Sequence, residues 1–170
     1  CADELRTVLW PIPPDGDGAS WQRRKQVGAD DRAMIGGSDA GAHLDRMSGA
    51  PFPTRFLGDC LRGRKLVPVE RAVQLMTEVP AKLFGFKDRG LIREGYFADI
   101  LIFDPETVGA GMATLVNDLP ANAPRLTAEA HGVVRVLVNG VETVRDNLAT
   151  GALPGTVLRS GRDTDTVATS

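Results

Sequence analysis

GLIREGYFADILIFDP, residues 90–105, is the stretch in which the sequence changes from a helical period to a period of two. Apolar and polar side chains alternate here in short runs, which is typical of half-buried β-strands. The stretch therefore predicts two strands on either side of a turn at Glu94 and Gly95.

A second β-type stretch, GVVRVLVNGVETVRD, occupies residues 132–146. It predicts a hairpin that turns on Asn139 and Gly140, because Asn-Gly favours a type I′ turn. Residues 90–158 are thus expected to be mostly β. Residues 108–131 are expected to form a long mixed connection, and no internal repeat is present.

Helical periodicity precedes these strands in VPVERAVQLMTEVPAKLFGF, residues 67–86. Pro68 suits the first turn of a helix, Pro80 can begin a second one, and Gly85 can close it. The side chains predicted to face the core are Val69, Ala72, Val73 and Met76. Further upstream, WQRRKQVGADDR predicts a short polar helix.

MIGGSDAGAH, residues 34–43, raises the question of a functional loop. The apolar run from Ala33 to Ile35 stops at two glycines, as a short buried strand does on reaching such a loop. The loop is predicted to run to about Arg55. On residue type alone Asp39 fits a turn or a helix cap, since Asp is common after strands.

The overall composition excludes several classes of protein. The chain is 42% hydrophobic and 25% charged, and its formal net charge is -2. This balance provides no basic field for nucleic acid or a membrane surface, and no stretch approaches the ~20 apolar residues of a bilayer span. We expect a cytoplasmic protein without nucleic-acid or membrane partners.

Few residues in the chain are suited to catalysis or metal binding. The only histidines, His43 and His131, lie in no paired ligand motif, so the chain cannot supply an ordinary zinc site by itself. No GxSxG elbow or phosphate-binding glycine motif is present. Cys1 and Cys60 are expected to be free thiols, with Cys60 packed inertly.

Three segments in this order change the interpretation: IGGSDAGAHLDRM, TEVPAKLFGFKDRGLIREGYFADILIFDP and VLVNGVETVRDNLATGALPGTVLRSGRDTDT. Together they resemble the C-terminal part of the amidohydrolase superfamily, in its N-acyl-D-amino-acid deacylase (D-aminoacylase-like) branch. The resemblance covers about residues 30–165. It implies an α/β fold, the end of a (β/α)8 metal-dependent hydrolase barrel followed by the C-terminal strands of a small β-sandwich.

The resemblance also implies where these parts lie. Residues 1–86 would be the C-terminal portion of the barrel, residues 87–160 the C-terminal half of the β-sandwich, and residues 161–170 a polar tail. The parent enzyme would carry one or two divalent metal ions, usually zinc.

Site residues follow from the same resemblance, position by position. MIGGSD matches the eighth barrel strand, and Asp39 matches the aspartate that binds metal or exchanges a proton with the activated water. No motif position fixes the roles of the other loop residues, but Ser38, His43 and Arg46 are candidates for substrate contacts, and Asp45 could also reach substrate. In GLIREGYFADILIFD, by contrast, Asp99 and Asp104 match structural positions, and His131 is expected at the surface.

Departures from the family pattern matter equally. The early histidine motif, the bridging lysine or cysteine and the histidines of the middle strands have no counterpart here. We therefore expect a fragment of a longer polypeptide, inactive alone, whose parent hydrolyses a small-molecule amide, an N-acyl-D-amino acid or a related compound. Its partners would be the remainder of its polypeptide or further copies in a homo-oligomer. The alternative is a noncatalytic subdomain or oligomerising module.

Overall fold

The computed structural model describes residues 16–38 and 40–167 of the chain. Cys1 and Asp39 lie outside these residues. Four helices come first: α1 (Gly18–Ala29), α2 (Phe52–Leu61), α3 (Val69–Met76) and α4 (Glu78–Leu83). No helix in these ranges combines the length and hydrophobicity that a bilayer span needs.

Eight strands follow the helices in the described part of the chain. They are β1 (Ile100–Phe103), β2 (Gly109–Ala110), β3 (Thr114–Leu119), β4 (Ala123–Thr127), β5 (Ala130–His131), β6 (Val133–Val138), β7 (Val141–Arg145) and β8 (Leu148–Ala149). β1, β6, β7 and β8 form one antiparallel sheet in the order β1-β6-β7-β8. Two small two-stranded sheets, β2-β5 and β3-β4, complete the β region. The described part of the chain therefore has mixed helix and strand content.

Both predicted helices are present, but the second begins at Glu78 rather than at Pro80, and the predicted core face is partly wrong. Helix α3 begins directly after Pro68, and Gly85 follows α4 with φ +64°, the left-handed conformation that glycine favours. Ala72 and Leu75 are fully buried, but Val73 remains 36% exposed. The buried stripe continues through Met76 and Val79 against the core, so it is rotated away from Val69 and Val73.

The polar helix predicted at residues 21–32 is also confirmed, with an earlier start. The Asp17 side chain accepts the Ser20 N–H at 2.7 Å and so caps α1. Helix α1 has no fully buried residue. Its contribution to the fold is therefore peripheral.

The main core lies between α2, α3 and the turn that leads into β2. Its buried members are Leu57, Cys60, Val67, Ala72, Leu75 and Val108. Helix α2 passes very close to the chain at Val108, since a Cβ on Gly58 would lie 2.8 Å from the Val108 oxygen. Arg62 donates from its guanidinium to the carbonyls of Pro105 and Val108. The helical and β regions thus share one core.

Cys60 is buried and unpaired, which confirms its predicted packing role. Burial raises the pKa of the Cys60 thiol above its ordinary value. The thiolate is the reactive form of cysteine, so both effects make this side chain unreactive.

The hairpin predicted at residues 132–146 is confirmed by β6 and β7. Asn139 has φ 50° and Gly140 has φ 79°, as a type I′ turn requires. Asn139 also closes a network: its N–H donates to Asp99 at 2.8 Å, and its side-chain amide donates to the Pro154 carbonyl at 2.8 Å. Arg89 donates to Asn139 Oδ1 at 2.9 Å and pairs with Asp99.

Asp99 and Asp104 are therefore held in structural roles, as expected. Asp104 accepts the Glu106 N–H at 2.9 Å and the Thr107 hydroxyl at 2.7 Å, and closes the turn after β1. These hydrogen bonds, that from Thr107 foremost, lower the pKa of Asp104. His131 is exposed, also as predicted.

Three expectations about strands are wrong. Residues 33–35 and 90–93 form no strand, and residues 108–131 contain two strand pairs rather than a mixed connection. Ile35 still packs on the core, but Ile92 is 90% exposed. A strand forms only where its backbone groups meet a partner, and none of the described strands lies beside either segment.

The segment from Arg159 to Asp165 returns to the end of α4, and we call it the clasp. Asp165 N–H donates to the Gly85 carbonyl at 2.8 Å, and Lys87 N–H donates to the Asp163 carbonyl at 3.2 Å. Phe86 and Thr164 form an isolated bridge between the two. Although polar and mostly exposed, this segment is tied to the helices.

Replacing Gly132 with alanine is expected to lower the free energy of unfolding by about 2–4 kcal/mol. Gly132 has φ +66°, and a Cβ there would lie 2.4 Å from Val108 N and 2.6 Å from Val108 Cα. Gly95 is a matched control, because it has φ +84° but no atom within 4 Å of the added Cβ. Gly95→Ala should cost only about 1–2 kcal/mol, the conformational part. Urea unfolding at one protein concentration compares the two variants. An equal loss of unfolding free energy in both would contradict a clash at Gly132.

Candidate active site

The candidate loop, residues 36–50, leaves the core at Ile35 and returns at the start of α2. Ile35 packs on the buried cluster, and the Phe52 N–H donates to the Gly49 carbonyl at 3.3 Å. Helix α2 is in turn anchored by Leu57 and Cys60. Both ends of the loop are therefore fixed by the core.

Within the loop, the residues on either side of Asp39 lie against Gly49. Ser38 Oγ accepts the Ala40 N–H at 3.1 Å. A Cβ on Gly49 would lie 3.0 Å from Ser38 Cβ and 3.2 Å from Ala40 N, closer than a side chain tolerates without a shift. Asp39 itself lies outside the described residues, so its assignment remains a prediction from sequence.

His43 forms the corner of a tight turn further along the loop. Its φ is 47°, in the left-handed region, and its carbonyl accepts the N–H groups of Arg46 at 2.8 Å and Met47 at 2.9 Å. The His43 side chain is exposed. His43 and Arg46 are thus brought together in one turn. Ser38 lies elsewhere in the loop, where it contacts Gly49 and Ala40.

Arg46 is already paired within the loop. Its Nε donates to Asp45 Oδ2 at 3.1 Å, and the Arg46 side chain is 71% exposed. This hydrogen bond lowers the pKa of Asp45, and the charges of Arg46 and His43 act in the same direction. An exposed pair of this kind contributes little stability. The Arg46 guanidinium carries further N–H donors besides the one that donates to Asp45.

The far point of the loop is attached to the β region. The Leu126 N–H, on β4, donates to the Leu44 carbonyl at 2.7 Å. Sequence reasoning missed this contact, and no sequence signal could have found it, because both partners are backbone groups that every such residue carries.

The described residues alone do not fit a metal site. Within residues 16–38 and 40–167, no three His, Cys, Asp or Glu side chains lie close enough together to hold a metal ion. His43 and Asp45 are near each other but lack a third ligand. Any metal at this loop would need ligands beyond these ranges.

A separate cleft of about 830 Å³ lies between α3, α4, β1 and residues 155–158. Its lining is mostly apolar, and the lining residues Glu78, Arg89 and Asp99 each form an ion pair. Glu78 accepts from Lys82 and from Gln74, and these bonds lower the pKa of Glu78. Arg89 is held by Asp99 and Asn139. The cleft offers no evident reactive group.

Comparison with known proteins identifies the family. The profile of the amidohydrolase family matches residues 19–144, which include the candidate loop and most of the strands. The chain belongs to the amidohydrolase family. The resemblance inferred from the three sequence segments is thereby confirmed.

Two relatives of this amidohydrolase chain come from Alcaligenes xylosoxydans xylosoxydans. A D-aminoacylase is 38% identical over 124 residues, which are 72% of this chain and 24% of the relative. An N-acyl-D-glutamate deacylase is 39% identical over 106 residues, 62% of this chain and 20% of the relative. The chain thus spans about a quarter or less of the length of these relatives.

A solved structure is also similar to this amidohydrolase chain. It is the N-acyl-D-glutamate deacylase of Bordetella bronchiseptica in complex with zinc and a phosphonate inhibitor, a mimic of the tetrahedral intermediate. The match has 39% identity and a TM-score of 0.41, and covers 53% of this chain and 17% of that one.

Proposed function

We propose that the chain is the C-terminal part of a metal-dependent amidohydrolase that cleaves the amide bond of N-acyl-D-amino acids. The family match over residues 19–144 carries this proposal. The names of the relatives, a D-aminoacylase and an N-acyl-D-glutamate deacylase, support the substrate class. Because the chain spans only part of them, the activity belongs to the longer polypeptide that we propose contains it.

In this proposal the domain order follows the family. Residues 1–86 would be the end of a (β/α)8 barrel, residues 87–160 the C-terminal half of a β-sandwich, and residues 161–170 a polar tail. The described helices end at Leu83 and the strands of the main sheet begin at Ile100, which agrees with a change of architecture between them. In such barrels the active site lies at the C-terminal ends of the strands.

Asp39 is proposed as the catalytic group of this loop. Its carboxylate would accept a proton from the attacking water as the carbon–oxygen bond forms at the amide carbonyl. It would then return that proton to the amine nitrogen as the carbon–nitrogen bond breaks. The turn at Ser38 and the approach of Gly49 restrict the backbone on both sides of Asp39.

His43, Arg46 and Ser38 are proposed as substrate contacts. An N-acyl-amino acid carries a carboxylate, and guanidinium groups bind carboxylates through two parallel hydrogen bonds. Arg46 and His43 are exposed in one turn, so both can face a ligand above the loop.

The proposal includes one or two divalent metal ions, zinc foremost, with Asp39 as one ligand. A bound metal ion would polarise the carbonyl and help to ionise the water. Since the described residues form no ligand group, we place the remaining ligands outside them.

The test is a hydrolysis assay of the full-length polypeptide with N-acetyl-D-amino acids, with the L-enantiomers as controls. We expect release of the free D-amino acid and its loss after treatment with a chelator. Absence of turnover with every D-substrate in the zinc-loaded protein would refute the proposal.

A noncatalytic, oligomerising module is the second candidate, and the sheet edge favours it. β1 is the outer strand of its sheet, and Leu101 and Ile102 are 44% and 47% exposed. A second copy pairing with this edge would cover both side chains. If the full-length polypeptide hydrolyses these substrates, association through the β1 edge would be a property of the isolated chain and not the function of the protein.

A further inference from the structure

The β3-β4 hairpin, residues 114–127, lies between β2 and β5 in the chain and forms a separate sheet, and we call it the arm. Its two strands pair with each other from Thr114 opposite Thr127 to Leu119 opposite Ala123. Asp118 and Arg125 form an ion pair across it, with Arg125 Nε 2.6 Å from Asp118 Oδ1. The arm is therefore a formed element with its own internal stabilisation.

The arm contacts the candidate loop through the Leu126 N–H and the Leu44 carbonyl, 2.7 Å apart. Leu126 lies opposite Leu115 in the register of the arm. In an antiparallel pair, a residue directs both of its backbone groups either toward its partner or away from it. Since the Leu126 N–H reaches Leu44, it points away from β3, and the contact uses the outer edge of the arm.

Leu44 lies at the corner of the candidate loop, between His43 and the Asp45–Arg46 pair. It follows His43, whose φ of 47° sets the corner, and it precedes the paired Asp45 and Arg46. The core holds the loop at Ile35 and at Phe52, both distant from this corner in sequence. The bond from the Leu126 N–H to the Leu44 carbonyl attaches this corner to the β region; among the backbone hydrogen bonds of the described residues, it is the one that does so.

We propose that the arm is a positioning element of the active site: Leu126 holds Leu44 so that His43 and Arg46 face the substrate. This inference rests on the proposed function, because it gives the loop corner a role in substrate binding. The arm acts through the backbone, so the identity of the Leu126 side chain is secondary.

Leu126→Pro tests the contact, and Leu126→Ala is the matched control. Proline lacks the N–H, whereas alanine retains it and removes most of the side chain. The strand already accommodates Pro124, two residues earlier and so on the same edge. Far-ultraviolet circular dichroism checks that both variants keep their strands.

Hydrogen exchange of the 170-residue chain reports the attachment directly. We expect peptides covering residues 40–50 to exchange about tenfold faster or more in Leu126→Pro than in Leu126→Ala, since a lost bond exposes the corner to local opening. Equal exchange in the two variants would overturn the role of the arm, whatever the enzyme does.

Kinetics of the full-length polypeptide then test positioning rather than stability. Leu126→Pro should raise KM about tenfold over Leu126→Ala, with kcat little changed, a loss of about 1.4 kcal/mol. In a background that carries both His43→Ala and Arg46→Ala this difference should largely vanish, because residues that act through one another are not additive. Fully additive effects would contradict the proposal.

The two proposals fail in different ways. If Leu126→Pro and Leu126→Ala hydrolyse N-acyl-D-amino acids equally well, the arm has no positioning role and the proposed function stands. If no variant and no parent protein hydrolyses these substrates, the proposed function fails, the substrate-positioning role of the arm is overturned with it, and the exchange result decides only whether the arm holds the loop.

Discussion

Asp39→Asn is expected to lower kcat of the full-length polypeptide by about 10²–10⁴-fold, the usual range for loss of a general acid–base group. Asparagine keeps the shape of the side chain, but its amide cannot accept a proton from water. Ser38 and Gly49, which restrict the neighbouring backbone, are untouched by the change. Steady-state kinetics with an N-acetyl-D-amino acid, after zinc loading and a check of metal content, measure the effect.

Asp31→Asn is a matched control for Asp39→Asn. Asp31 is a carboxylate on the same stretch of chain, its side chain is 97% exposed, and its pair with Arg71 spans 3.2 Å. Such a pair contributes little stability, so kcat should stay at the parental value. If Asp39→Asn retained a parental kcat/KM with full metal content, Asp39 would not be the proton acceptor.

The isolated 170-residue chain is expected to have no hydrolase activity and to self-associate. Apolar side chains remain exposed on several elements, among them Phe84, Ile92, Leu101 and Ile102. Covering a side chain of this size stabilises an assembly by about 1.5–3 kcal/mol. The free edge of β1 adds unpaired backbone groups that a second copy can satisfy.

Sedimentation velocity over a range of concentrations measures the assembly. Ile102→Lys, on the edge strand, should shift the chain toward monomer, whereas Leu153→Lys should not, although Leu153 is 95% exposed. A compact monomer that hydrolyses N-acetyl-D-amino acids after zinc addition would disprove both halves of this expectation.

Local signals predicted the parts of the fold that local interactions determine. Pro68 precedes α3 and Gly85 follows α4, because each has a backbone requirement that holds in any context. Pro80 was expected to begin α4, but the helix begins two residues earlier, at Glu78, and Pro80 lies within its first turn. Asn139 and Gly140 likewise adopt the positive φ values that a type I′ turn needs. Both elements therefore match the sequence prediction closely.

Predictions failed where the outcome depended on partners distant in sequence. Residues 33–35 and 90–93 have suitable side chains for strands, but a strand also needs neighbouring backbone groups. The arm was missed because residues 108–131 have no Asn-Gly turn, and its reversal uses Ala121 and Asn122 with φ 58° and 57°. Alanine in this conformation gives no signal in sequence.

The candidate site was predictable only through the family resemblance. Residue type alone left Asp39 as a turn residue, because aspartate suits both a turn and a catalytic position. Ser38, His43 and Arg46 are near one another in sequence, so their placement in one loop was expected. The attachment at Leu44 was not, since the sequence carries no trace of a backbone contact.

The clasp has a consequence for the timing of folding during protein synthesis. Lys87 Nζ donates to the Arg162 carbonyl across 75 residues of chain. A ribosome adds 5–20 residues per second, so Lys87 is made roughly 4–15 s before Arg162. Throughout that interval the carbonyl of Gly85 and the N–H of Lys87 lack their native partners, Asp165 and Asp163. The end of α4 therefore matures after the sheet has been synthesised, and a nascent chain presents this helix end to chaperones for several seconds.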